Sequence, residues 1–249
     1  MPTPALEAIS VTKVHRGEVH ALRGIDLEVL TGETMALIGE SGSGKTTLLR
    51  MFNRLDTPTT GEVRVKGRRA DEMDPIALRR HTGYVQQEGG LLPHWTVRRN
   101  VGLVPRLLGW DRARREERVR ELLDQVGISD RSMGARYPSE LSGGERQRVA
   151  FARALAADPD TVLLDEPFGA LDARTRAALH DVFLDLKRRL AKTMMLVTHD
   201  LGEAFRLGDR VAVMKEGRVL QVGTPEELRR RPLPGYVAAL LERGAMGTP

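Results

Sequence analysis

Three short segments carry residues whose types and spacing could do chemistry on phosphate. Gly39-Glu40-Ser41-Gly42-Ser43-Gly44-Lys45-Thr46, followed by Thr47, matches the pattern G-x-x-x-x-G-K-[ST] without a mismatch. Glycines let the backbone curl so that successive N–H groups converge on phosphate oxygens, and a helix opening here adds its positive end. Lys45 is placed to reach the terminal phosphates and the Thr46 hydroxyl to ligate Mg²⁺. A plain glycine-rich turn is the simpler reading; the complete pattern in a strand–turn–helix context weighs against it. Thr161-Val162-Leu163-Leu164 is an apolar strand ending in Asp165-Glu166. Many strands run out into acids, but paired with the first segment Asp165 would hold Mg²⁺ and Glu166 would polarise an attacking water. In Leu141-Ser142-Gly143-Gly144-Glu145, Ser142 reads as an N-cap and Glu145 completes a capping box opening a helix over 145–156. A capped helix start with two glycines is also an anion site.

Positioning these segments requires an α/β scaffold. Residues 5–14 and 19–30 alternate as strands, and Thr34–Ile38 is a short apolar run expected of a strand buried on both faces. After the glycine turn, Leu48, Phe52 and Leu55 form a helical stripe, and residues 61–67 read as a hairpin arm. The stretch 111–157 is mostly helical, with Val119, Leu122, Leu123 and Val126 on one face. Beyond the strand at 161–164, Leu179, Val182, Phe183, Leu186 and Leu190 mark a helix, 194–198 a strand, and Leu201 a further helix start. Residues 211–222 read as a hairpin turning at Gly217, and Thr224-Pro225-Glu226-Glu227 as a capped helix start. The result is a mainly parallel sheet with helices, antiparallel strands at the start and a helical insertion.

Composition narrows the functional classes. A chain of 249 residues with 41% hydrophobic and 29% charged residues can bury a sizeable core. It has no apolar run of the roughly 18–20 residues that cross a bilayer, and its first residues lack a signal peptide's basic start and apolar centre. A cytosolic protein is expected. Without cysteine there are no disulfides, thiolate metal sites or cysteine nucleophiles. The net charge of +5 could attract nucleic acid, but the arginines of residues 111–120 interleave with acids as on a solvated helix face, and aromatic residues are only 4%. No nucleic-acid partner is expected.

Leu141–Arg148 resembles the signature sequence of the ABC ATPases, and the remaining landmarks follow in that family's order. Gln87, in Val85–His94, resembles the Q-loop glutamine that touches Mg²⁺ and senses a transmembrane partner; it is preferred to Gln86 by its distance from Leu92-Pro93-His94. Gly169–Asp172 resembles the D-loop, with Asp172 directed to an opposite cassette. His199, at the carboxyl end of a buried strand where open α/β sheets bind ligands, resembles the switch histidine of the γ-phosphate. Where the family places an aromatic residue on adenine, this chain has His15. His20, His81, His94 and His180 are expected to have no catalytic role.

The resemblance covers roughly residues 5–240. It implies an α/β P-loop NTPase fold of the ABC type, with a mainly parallel sheet, an N-terminal antiparallel β subdomain and a helical subdomain near 88–157. Residues 1–240 would form the ATPase domain and 241–249 a short flexible tail. Two cassettes, identical or paralogous, would sandwich two ATP molecules with Mg²⁺; Ser142, Gly143 and Gly144 of each would serve the nucleotide on the other's Gly39–Thr47 loop.

Pro167-Phe168-Gly169-Ala170 has the form of importers. Gly90–Val97 and Leu207–Lys215 resemble the osmoprotectant and quaternary-amine subfamily (glycine betaine, choline). That implies two transmembrane permease subunits, a separate solute-binding protein, and attachment at the cytoplasmic face of the inner membrane. Some members carry a regulatory domain after the cassette, which this chain is expected to lack. An importer of amino acids or sulfonates is the alternative. A non-transport ATPase would more often fuse two cassettes or insert a long coiled coil, and a small-molecule kinase would have no use for the signature segment.

Overall fold

The computed structural model describes residues 4–15, 17–87 and 89–246, with side chains up to Arg243. It divides into two units, one made of residues up to Leu78 with those from Thr193 onward, the other of Arg79–Lys192. In chain order the first unit holds β1 (Pro4–His15), β2 (Val19–Leu30), β3 (Thr34–Ile38), α1 (Lys45–Met51), β4 (Thr60–Val65) and β5 (Arg68–Arg69). After α2 (Pro75–Arg80), the second unit holds β6 (Thr82–Val85), α3 (Val97–Val101), α4 (Leu103–Leu107), α5 (Arg112–Gln125) and α6 (Asp130–Met133). It continues through α7 (Gly143–Leu155), β7 (Thr161–Asp165) and α8 (Ala173–Leu190). The chain then returns with β8 (Thr193–Thr198), α9 (Leu201–Leu207), β9 (Arg210–Lys215), β10 (Arg218–Gly223), α10 (Pro225–Arg230) and α11 (Tyr236–Met246).

Within the first unit, β2, β1, β4 and β5 form an antiparallel sheet. In the other sheet β3 lies between β8 and β9, parallel to both, and β10 adds antiparallel to β9. Every residue of β3 and β8 is buried, which is why both read as continuous apolar runs rather than alternating ones. Ala36 and Ile38 pack with Ala204, Val211, Val213, Leu228 and Val237, so α9, α10 and α11 cover one face of this sheet. Ile38 and Thr198 are register partners. Parallel strands end side by side, so the Gly39–Thr46 loop and His199 leave the sheet at the same end.

In the second unit β6 and β7 are parallel, with Val85 opposite Leu164, so Gln87 and the Asp165-Glu166 pair also leave one sheet end together. Phe151, Phe168 and Phe183 form its aromatic core, with ring centroids 6.1 Å apart, and His180 stands edge-on to Phe168 at 4.6 Å. On α5, Val119, Leu122 and Leu123 are buried while Arg112 pairs with Glu116 and Arg118 with Glu121, each at 2.8 Å.

One expected core residue is displaced. α1 closes at Met51, the chain leaves helical phase at Arg54 (φ +55°), and Leu55 is 48% exposed; Leu48, Leu49 and Phe52 make the buried stripe. The helix expected over 145–156 begins at Gly143 because Ser142 is its N-cap. The region expected as a tail carries helix as far as Met246, and residues 247–249 lie outside the described residues.

Candidate functional site

The loop after β3 depends on glycine at two points. At Gly39 a Cβ would lie 2.1 Å from Met214 O. At Gly44, the N-cap of α1, φ is +98° and a Cβ would lie 2.5 Å from Ala21 O. Ser43 N donates to Glu40 O at 3.2 Å, and Gly217 N, in the β9–β10 turn, donates to Ser43 O at 3.2 Å, bracing the loop from outside. Lys45 is buried; its Nζ donates to Gly39 O at 2.7 Å, Glu40 O at 2.8 Å and Ser43 Oγ at 3.3 Å. The ammonium thus sits in the curl of its own loop.

His199 is exposed at the end of β8. Its neighbours are fixed: Thr198 Oγ1 donates to buried Glu203 Oε2 at 2.6 Å, Asp200 N donates to Thr198 Oγ1 at 3.0 Å, and Asp200 caps α9 through Glu203 N at 2.9 Å. His15 is exposed at the end of β1, opposite Val19.

In the second unit, Asp165 is 6% exposed and accepts from Tyr84 Oη at 3.2 Å. Glu166 follows in the left-handed region, φ +46°, which a non-glycine residue adopts only at a cost of order 1–3 kcal/mol and which is concentrated at functional sites. Gln87 Nε2 lies 3.4 Å from Glu166 Oε2. The side chain that reaches the acids is therefore Gln87, whereas Gln86 turns its amide toward Gly90.

Ser142 caps α7 as expected. Its Oγ accepts from Glu145 N at 3.3 Å and its N–H donates to Glu145 Oε2 at 2.7 Å; these bonds lower the pKa of Glu145. A Cβ at Gly144 would lie 2.4 Å from Thr175 Cγ2, so the first turn of α7 approaches the first turn of α8 closely. Asp172 caps α8 from solvent, accepting from Thr175 N at 3.0 Å and Arg174 N at 3.1 Å; bonds from Thr175 lead in lowering its pKa.

The structure thus assembles two clusters: the Gly39–Thr47 loop with His199 in one unit, and Gln87, Asp165 and Glu166, with Ser142–Gly144 and Asp172, in the other. No group of three or more His, Cys, Asp or Glu side chains is arranged to hold a metal among the described residues. Sequence reasoning missed Asn100, which is fully buried, accepts from Leu92 N at 2.7 Å and donates to Leu92 O, Trp95 O and Thr96 O. It organises the whole 92–96 loop, and a lone asparagine between Arg99 and Val101 leaves no periodic signal.

A phosphate-cradling loop, a strand ending in two acids and a capped Ser-Gly-Gly helix start define a nucleotide-binding cassette. The ABC transporter family model matches residues 22–169, and the chain belongs to that family. It is 47% identical to the osmoprotectant import ATP-binding protein OsmV of Salmonella typhimurium, over 89% of this chain and 58% of that protein. It is also 47% identical to the glycine betaine/carnitine/choline transport ATP-binding protein OpuCA of Bacillus subtilis, over 93% of this chain and 61% of that protein. The chain therefore spans about three-fifths of the length of these relatives. Among solved structures it resembles the ATP-binding cassette MJ0796, captured as a dimer with ADP and phosphate, at a TM-score of 0.78 and 34% identity over 88% of this chain and 98% of that one.

Proposed function

We propose that this chain binds ATP with Mg²⁺, hydrolyses it, and powers a membrane importer as one of a pair of cassettes. The similarity to OsmV and OpuCA across about nine-tenths of the chain carries the reading. Lys45 exchanges its loop carbonyls for β- and γ-phosphate oxygens, with loop N–H groups from Gly39 to Thr47 around them. Thr46, Gln87 and Asp165 offer hard oxygen donors of the kind Mg²⁺ takes in company with phosphates and water, and the buried Asp165 carboxylate fits that role. When bound, the ion neutralises charge developing on the phosphate oxygens. Glu166, pinned by its backbone at the end of β7, polarises the attacking water, and His199 touches the γ-phosphate. His15 lies against adenine. Ser142, Gly143, Gly144 and Asp172 serve the nucleotide of the opposite cassette, a second copy or a paralogue.

None of the described helices is long and apolar enough to cross a membrane. Two permease subunits would hold the chain at the cytoplasmic face of the inner membrane, and a separate binding protein would deliver the solute. The surface we assign to the permease is a cleft of about 740 Å³ lined in part by Trp95, Arg98, Arg99, Arg106, Arg115 and Arg120. Of its six arginines, Arg98 is paired with Asp130 at 2.6 Å and Arg112 with Glu116 at 2.8 Å, while Arg99, Arg106, Arg115 and Arg120 have no carboxylate in salt-bridge distance among the described residues, which suits an acidic partner loop. The solute class is a quaternary amine such as glycine betaine or choline, both of which the name of OpuCA gives.

Glu166→Gln keeps the shape and removes the base. It should slow hydrolysis about 10²–10⁴-fold while ATP traps a dimer on gel filtration; near wild-type hydrolysis would remove Glu166 from this role. Deleting the gene in a strain without a redundant system should abolish uptake of labelled betaine and choline. Uptake that persists while the purified chain hydrolyses ATP would shift the solute to an amino acid or sulfonate.

A further inference from the structure

Beyond Gln87, the chain is held by a residue with no place in the assignments above. Arg153, on α7, donates from Nη1 to Gly90 O and from Nη2 to Gly89 O, each at 2.7 Å. Gly89 and Gly90 are both left-handed, with φ +75° and +59°, and Gly89 N closes a turn on Gln86 O at 2.8 Å. The planar guanidinium fork suits two neighbouring carbonyls as a lysine ammonium does not. A second α7 side chain packs on the same turn: Gln147 is 4% exposed, and a Cβ at Gly89 would lie 3.3 Å from its Oε1.

Arg153 meets no carboxylate among the described residues, and burial draws its pKa down. Among the described residues this half-buried guanidinium is bonded to neutral carbonyls, an arrangement that gains little stability over an apolar side chain filling the same space. What the two bonds do fix is position. The turn they hold carries Gln87, whose amide lies 3.4 Å from Glu166. The helix that supplies them begins at Ser142, about three turns away.

We propose that Arg153 is a positioning residue, tying the Gln87 turn to α7 so that the metal-and-water end of the site and the Ser142–Gly144 end move as one body. This rests on the ATPase reading above. Gln87 acts on the metal and the water; Arg153 acts only through Gln87.

The test uses the purified full chain and three readouts: hydrolysis across a Mg²⁺ titration, fluorescent-nucleotide binding in EDTA, and thermal melting. Arg153→Met should lower kcat about ten- to a hundredfold, as misplacement by an ångström does. It should also raise the Mg²⁺ concentration for half-maximal rate and leave nucleotide binding in EDTA unchanged. Arg153→Lys should recover part of the rate. In a Gln87→Ala background, Arg153→Met should cost less than about twofold more, since residues acting in series are not additive. Multiplicative losses, an unmoved Mg²⁺ requirement or an unchanged kcat would overturn the proposal. Should Arg153→Met fail to fold, the Arg153→Lys and Gln87→Ala cycle makes the same comparison. Failure of the ATPase reading has its own signature, a wild-type chain that hydrolyses no ATP at any Mg²⁺ concentration, and it would remove both.

Discussion

Ser142 caps its own helix and is proposed to serve a nucleotide bound on the opposite cassette, and substitution can separate the two. Ser142→Ala removes the bond that Oγ accepts from Glu145 N but leaves the bond from Ser142 N to Glu145 Oε2, because that donor is backbone. The lost bond is long at 3.3 Å, so the cost belongs at the lower end of the N-cap range, about 0.5–1 kcal/mol. For a domain of this size that moves the melting temperature by roughly 1–4 °C. The folded fraction at 25 °C barely changes, so stability alone accounts for almost no loss of activity. Losing a donor to transferring phosphate oxygens is a larger matter, about 10²-fold or more in rate. Asn caps as well as Ser. Melting curves and steady-state hydrolysis on Ser142→Ala and Ser142→Asn therefore settle the question. Asn should restore the melting temperature and leave hydrolysis low. If Asn restored both together, Ser142 would be a helix cap and nothing more.

Gly39→Ala places a Cβ 2.1 Å from Met214 O, 1.3 Å short of the 3.4 Å where ordinary contact begins (3.4 − 2.1), and the obstacle is backbone. The loop must move by about an ångström, so nucleotide affinity should fall by about 10²-fold or more; a variant that titrates like wild type would refute the close approach. His15→Tyr, at an exposed position, should tighten ATP binding by about 1 kcal/mol, and equal affinities would remove His15 from the adenine site. The capping carboxylates Glu145 and Glu227 and the N-cap Asp172 all have pKa values lowered by the bonds they accept. Depressed folded-state values mean the stability they contribute is present above the ordinary carboxylate range and is lost as pH falls through the lowered values. Melting temperature should therefore hold from neutral pH to about 5 and decline below about 4.5, with part of the decline absent in Glu227→Gln.

Much of the site is legible because its motifs are local. A capping box spans one helical turn, so Ser142 with Glu145 and Thr224 with Glu227 could be read directly, and both are formed. The β9–β10 hairpin at Gly217 and the buried strands β3, β7 and β8 were readable for a similar reason, since continuous apolar runs bounded by turn residues have few other solutions. Weaker patterns failed. β6 has four residues and α3 and α4 five each, too few to establish a period, and Leu55 was assigned to a helix that had already ended.

The amino-acid sequence by itself determined the chemistry available: a loop that can cradle phosphate, two acids at a strand end, a capped helix start and a histidine beyond a buried strand. Each is a statement about residues within one turn or one strand of each other, where covalent geometry dictates what can meet. Only the tertiary structure decided which of them share a sheet end. The parallel register of Ile38 with Thr198 and of Val85 with Leu164 brings together residues about 160 and 80 positions apart. It also decided that Gln87 rather than Gln86 faces Glu166, and that Asn100 and Arg153 hold the loops between. Asn100 and Arg153 hold those loops through hydrogen bonds to backbone carbonyls, which every residue carries alike, so no residue type along the chain announces them.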